Sequence, residues 1–236
     1  MILVTGGQGE FAGLISKHAT SIVIKPRRTA LDIREWYMVK QYFEIYDFDY
    51  VIHAAALARP MIQHEEDPGA SIETNIIGTA NIARACLMFN KKLIYISTDY
   101  VYEGTSGNYN EYDPVKPFMN YGWSKLGGEC AVQMVPDSLI LRMALCSRNF
   151  THQKAIFDTD KSCIYMGDAA KITLKLLDQK GIINVGGPTR SLYDFYRVDN
   201  PDIGYISRLD VKGTVIPRDS SMDTTKLKEL LNDTDV

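Results

Sequence analysis

Tyr121-Gly122-Trp123-Ser124-Lys125 places a phenol and an ammonium four positions apart. That spacing puts both side chains on one face of a helix. A cation held beside a phenol stabilises the phenolate and brings proton exchange nearer to neutral pH. Upstream, Thr98 stands in Ile96-Ser97-Thr98-Asp99-Tyr100, directly behind an apolar run. At the carboxyl end of a strand, its hydroxyl is placed to hydrogen-bond a carbonyl oxygen. The plainer reading of Thr98 is a turn or capping residue, and that of Tyr121 alone a surface tyrosine.

The chain opens with Thr5-Gly6-Gly7-Gln8-Gly9-Glu10-Phe11-Ala12, behind the apolar run Ile2-Leu3-Val4. Strand, glycine turn and helix in this order form a pyrophosphate cradle. Gly6 permits the tight turn, Gly9 lets the backbone approach the phosphates, and Ala12 lets helix and strand pack closely. The helix N-terminus adds amide donors and a favourable dipole. A phenol proton donor beside a dinucleotide's nicotinamide is equipment for carbonyl reduction or alcohol oxidation.

Cofactor choice falls at the end of the second strand, where a carboxylate favours a free ribose 2′-hydroxyl. Here Lys25-Pro26-Arg27-Arg28 follows. Three cations in four residues suit a 2′-phosphate, so NADP is expected over NAD. A solvated basic loop is the alternative. Asp32 and Ile33 come next and are expected to border the adenine.

The elements that position these residues are read from short apolar runs. Strands are expected at 2–5, 21–24, 50–55, 92–97, 139–142 and 182–185. Helices are expected around 16–19 and over 32–46, 75–90, 121–135, 168–177 and 222–231, the last with Asp223 or Thr224 near its cap. Asn75 reads equally as an N-cap or as a polar relay near the lysine. Strands alternating with helices indicate an α/β fold with a doubly wound parallel sheet. The Gly-, Asn-, Pro- and Asp-rich stretch 104–120 is expected as an exposed loop at the site's rim. Segments 143–167 and 188–236 are expected to build a small, shortened C-terminal substrate lobe interleaved with the sheet, within one domain spanning 1–236.

The 236 residues are 45% hydrophobic and 23% charged with net charge −3, which implies no general affinity for nucleic acid or anionic membrane. No apolar run reaches the ~20 residues of a bilayer span. The four cysteines are scattered, as in a reduced cytoplasmic protein, and the four histidines lack metal-ligand spacing.

Thr5 to Ala12, Leu31-Asp32-Ile33, Val51 to Ala56, Thr74 to Thr79, Ser97 to Gly104, Tyr121 to Glu129 and Pro217 to Thr224 resemble the extended short-chain dehydrogenases/reductases. More narrowly they resemble the dTDP-4-dehydrorhamnose reductase group. The resemblance implies a Rossmann-type fold and a catalytic triad of Thr98, Tyr121 and Lys125. It implies cofactor contacts from Gly6, Gly9, Glu10, Phe11, Lys25, Arg27, Arg28, Asp32, Ile33, Ala54, Ala55, Ala56, Asn75, Tyr121 and Lys125. It also implies NADPH-dependent reduction of a 4-keto-6-deoxy sugar nucleotide. Asp99-Tyr100 replaces the Asp-Glu pair of related dehydratases, which argues against water elimination. The segment between Arg142 and Asp168 is shorter than the family's, so the nucleotide is held differently, the substrate is smaller, or binding has degenerated. An epimerase and a non-catalytic regulatory subunit are the rival readings. The helices after Asn75 and Tyr121 carry small-residue and apolar faces suited either to a homodimer or to packing on a sheet.

Overall fold

A computed structural model describes residues 1–231; the last positions of the 188–236 segment lie outside the described residues. The chain begins with β1 (Ile2–Thr5), α1 (Glu10–His18), β2 (Val23–Ile24), α2 (Trp36–Ile45) and β3 (Tyr50–His53). Then come α3 (Ile62–Glu66), α4 (Pro68–Ser71), a π-helical stretch over Ile72–Ile77, α5 (Gly78–Phe89) and β4 (Lys92–Thr98). A 3-10 turn over Asp99–Val101 leads to α6 (Asn120–Gln133) and β5 (Leu139–Cys146). The remainder comprises β6 (Lys154–Ile156), β7 (Asp160–Lys161), β8 (Cys163–Tyr165), α7 (Met166–Lys175), β9 (Gly181–Val185), β10 (Arg190–Ser191), α8 (Leu192–Tyr196), β11 (Gly204–Ile206) and α9 (Thr225–Leu231).

Seven strands form one parallel sheet in the order β2-β1-β3-β4-β5-β8, with β9 also paired to β5. Their runs are apolar on both faces because helices cover both sides, and successive residues alternate between two cores. Ile2, Val4, Ile52, Ile94, Leu139 and Leu141 pack with α1, α7 and α9. Leu3, Val51, Leu93, Tyr95 and Ile140 pack with α2, α5 and α6. The sheet is thus doubly wound, and β1 lies between β2 and β3. Chain order reverses there, which opens a crevice at the carboxyl ends of β1 and β3.

Several boundaries differ from the sequence reading. β2 is only two residues long, and Ile22 before it is exposed. α2 starts at Trp36 rather than near Asp32. The Asp32 carboxylate accepts the Arg34 backbone N–H at 3.1 Å, a local bond that competes with helix. The helix expected from Asn75 is already under way there, since helical residues run from Pro68 to Phe89. β5 extends to Cys146, and α9 starts at Thr225. Of the 104–120 stretch, Tyr109 and Met119 are buried. Tyr109 donates its N–H to Ser221 and accepts from Asp223, so the tail segment before α9 pins this loop.

Outside the main sheet, β6 pairs with β11 and β7 with β10. Cys146, Ala155, Cys163, Phe195, Tyr196 and Ile203 form the apolar cluster beneath them.

Candidate active site

The glycine turn lies at the crevice. Gly6 has φ +73°, a left-handed conformation that disfavours any side chain, and a Cβ there would stand 2.9 Å from Ala55 Cα. Ala54, Ala55 and Ala56 leave β3 half-buried beside it. Thr5 Oγ1 accepts the Ala55 N–H at 3.1 Å and bonds His53 Nδ1 at 2.7 Å, which locks the ends of β1 and β3 together. Gly9 donates to Gly6 O at 2.8 Å, and a Cβ at Gly9 would meet only that oxygen, at 3.2 Å. No side chain caps α1, so its first-turn amides at Glu10 and Phe11 are not claimed by a cap. Glu10 accepts a hydrogen bond from Ser147 at 3.2 Å, while Phe11 is buried in the core. This cradle fits a dinucleotide pyrophosphate.

The basic loop packs on the turn: a Cβ at Gly7 would collide with the Lys25 and Pro26 carbonyls. Lys25 and Arg27 are exposed. Arg28 Nε donates to Asp32 at 3.0 Å, and Arg34 Nη2 pairs with the same carboxylate at 2.7 Å. The Arg34 guanidinium holds Asp32 well below the usual carboxylate range. Ile33 follows Asp32 and packs against α5. It is buried, and lies so close to Gly78 that a Cβ there would stand 2.7 Å from Ile33 Cδ1.

Thr98 ends β4 beside the Tyr121 phenol, and Lys125 follows Tyr121 by one turn of α6. Thr98 is buried; its hydroxyl accepts the Tyr100 N–H at 3.2 Å and donates to Asp99 Oδ1 at 3.1 Å. Burial pushes the Tyr121 phenol up to about 12; Asp99 adds to this, while a hydrogen bond with Thr98 and the Lys161 ammonium pull it down. The sequence expectation of a phenol lowered toward neutrality by Lys125 is therefore corrected, because burial and the Asp99 carboxylate outweigh the one cation that acts on it, Lys161. Lys125 is 3% exposed, its Nζ 4.1 Å from the Tyr95 ring centroid. Burial draws it down to about 7, against the opposing pull of Glu129.

Asn75 is not an N-cap. It is buried inside the π-helical stretch. Its Oδ1 accepts the Leu57 N–H at 2.8 Å, and its Nδ2 donates to Leu57 O and to Ser124 Oγ, both at 2.9 Å. These bonds tie the π-helical stretch to Ser124, the chain neighbour of Lys125.

Three groups near this site escaped the sequence reading. Lys161 on β7 pairs with Asp99 Oδ2 at 2.7 Å. His64 on α3 is fully buried, its ring centroid 5.0 Å from that of Tyr121 and its Nδ1 2.8 Å from Ser71 Oγ. Arg142 makes a bidentate pair with Glu129, at 3.1 and 2.8 Å, and Ser97 donates to the same carboxylate at 2.5 Å. Glu129 follows Lys125 by one helical turn, a spacing visible in the sequence. Lys161 and His64 lack any such local signal.

Among the described residues, no cluster of three His, Cys, Asp or Glu side chains is arranged to hold a metal ion, and no helix is long and apolar enough to cross a membrane.

A family described as RmlD substrate binding domain matches residues 1–155. The dTDP-4-dehydrorhamnose reductase of Aggregatibacter actinomycetemcomitans is 27% identical over 224 residues, covering 82% of this chain and 76% of that protein. The methionine adenosyltransferase 2 subunit beta of Bos taurus is 41% identical over 90 residues, 37% of this chain and 27% of that one. The crystal structure of dTDP-4-dehydrorhamnose reductase from Bacillus anthracis in complex with NADP superposes with a TM-score of 0.85. That likeness, at 23% identity, covers 98% of this chain and 91% of the other.

Proposed function

The chain belongs to the RmlD substrate binding domain family, and from that premise we propose that it is an NADP-dependent reductase of a 4-keto-6-deoxy sugar nucleotide, serving nucleotide-sugar or glycan precursor synthesis. The reductase named among its relatives and the NADP complex among its structural neighbours support this reading. The observation that carries it is the placement of Thr98 at the carboxyl end of β4 beside Tyr121 of α6, with Lys125 one helical turn further along, on the same carboxyl-end side of the sheet as the glycine turn.

NADPH, when bound, supplies the hydride. Gly6, Gly9 and the α1 amides would hold the pyrophosphate, and Lys25, Arg27 and Arg28 would take the 2′-phosphate. On substrate binding, the Thr98 hydroxyl would turn its single proton from Asp99 to the substrate carbonyl oxygen. Tyr121, raised to about 12, is protonated at neutral pH, which is the state a proton donor in carbonyl reduction requires. Lys125 would bind the ribose and support the Tyr121 phenolate left after proton transfer. We place the protein in the cytoplasm, consistent with four free cysteines. We pair it as a homodimer through α5 and α6, on which Trp123, Met88 and Met134 at the end of α6 are exposed.

The test is stopped-flow mixing of the protein, NADPH and a 4-keto-6-deoxy sugar nucleotide. Loss of reduced-nicotinamide absorbance is expected. The local likeness to the methionine adenosyltransferase 2 subunit beta favours a second reading, a non-catalytic subunit that binds nucleotide structurally. NADPH binding without oxidation by any sugar nucleotide would replace the first reading with the second.

A further inference from the structure

Asp99 is 2% exposed and lies where three separate segments meet. Its Oδ1 accepts from Thr98 Oγ1 at 3.1 Å, at the end of β4. Its Oδ2 accepts from Ser220 Oγ at 2.8 Å, in the segment before α9, and from Lys161 Nζ at 2.7 Å, on β7. The Lys161 ammonium also stands 3.9 Å from the Tyr100 ring centroid. The Tyr100 ring in turn meets that of Tyr121 edge to face, with centroids 6.2 Å apart. One ion pair thus joins the proposed carbonyl-binding hydroxyl, the proposed proton donor and the small strand pair β7–β10.

A buried carboxylate facing a phenol opposes its ionisation, and a buried charge without a partner is costly. Resting on the reading of Tyr121 as proton donor, we propose that Lys161 is a positioning residue of this site: it neutralises Asp99, holds that carboxylate against Thr98, and keeps the phenol able to release its proton. The groups facing Tyr121 support the assignment. Asp99 and Tyr100 come from the turn after β4, Lys161 from β7, and His64 from α3; Lys125 lies on its own helix. Glu65 on α3 is occupied at the start of α6, where it accepts the Asn120 N–H at 2.9 Å. Asp99 pushes the phenol up and Lys161 pulls it down. Burial opposes charge on Lys161, but Asp99, Tyr100 and Cys163 outweigh it and hold the ammonium above the ordinary lysine range.

The test reads the phenol directly. A fluorinated tyrosine at position 121 has a lower intrinsic pKa, which brings its ionisation into a range where the fold persists, and ¹⁹F NMR follows it with pH. Lys161→Met should raise the midpoint by about one pH unit or more. Adding Asp99→Asn to that variant should bring it back to the parent value or below. An unchanged or lower midpoint in Lys161→Met, or no return in the double variant, overturns the proposal. If Lys161→Met does not fold, Asp99→Asn alone decides: the midpoint must fall, and an unmoved one contradicts the assignment. The measurement needs no turnover. Shifts as expected, without oxidation of NADPH by any sugar nucleotide, would support the role of Lys161 in the phenol's environment and remove the reductase reading. Turnover with an unmoved midpoint would keep that reading and remove the proposal.

Discussion

Asn75 donates a 2.9 Å hydrogen bond to the hydroxyl of Ser124, which itself donates to the Tyr121 carbonyl at 2.8 Å. The bond ties the π-helical stretch to the turn of α6 between Tyr121 and Lys125. Such stretches are frequent at functional sites. Asn75→Leu should leave Ser124 and the Leu57 backbone groups without these partners. A loss of about 1–3 kcal/mol for each buried group left unpaired is expected, read from denaturant midpoints. Turnover should fall as well. Unchanged stability would show that the network does not brace α6.

The pyrophosphate turn is tested by Gly9→Val. A Cβ at this position meets only the Gly6 carbonyl, so the variant should fold. The added side chain should stand where the backbone needs close approach to phosphate. Dinucleotide binding should disappear from calorimetry, and undiminished binding by the folded variant would rule out the turn.

Cofactor preference rests on the loop that packs over Gly7. NADPH should bind more tightly than NADH. Replacing Arg27 and Arg28 by alanine should weaken NADPH selectively by about 1–3 kcal/mol, the scale of charge-assisted bonds. Arg28 also serves Asp32, but Arg34 keeps that carboxylate paired. Equal affinity of the unmodified protein for both cofactors would contradict this assignment.

Lys125 links cofactor binding to pH. Its free-protein value is about 7, and contact with the ribose should favour the charged form. Binding should therefore take up protons at pH values near and above 7, and affinity should fall as pH rises through that range. Calorimetry in buffers of different ionisation enthalpy measures the uptake. Lys125→Met should abolish it and weaken binding, whereas equal uptake in that variant would assign the proton elsewhere.

Much of this arrangement was legible in the chain because it is local. Apolar runs such as Leu93-Ile94-Tyr95-Ile96 supply both cores by alternation, and the glycine turn and the Tyr121–Lys125 spacing each fit within one turn of structure. Asn75 was ambiguous because a polar residue ahead of Gly78-Thr79 resembles a cap, and only the helical run from Pro68 shows otherwise. The start of α2 was misplaced because the Asp32–Arg34 bonds override helical spacing. Lys161 and His64 were invisible for another reason: tertiary packing alone brings them to Tyr121, and no period in the sequence marks them.

The most direct measurement is single-turnover oxidation of NADPH with a 4-keto-6-deoxy sugar nucleotide, comparing the parent protein with Tyr121→Phe. The substitution keeps the ring and removes only the hydroxyl, so cofactor binding should survive. The rate should fall by roughly 10²–10⁴-fold, as for a lost general acid. A Tyr121→Phe variant that reduces the substrate as fast as the parent would contradict the account.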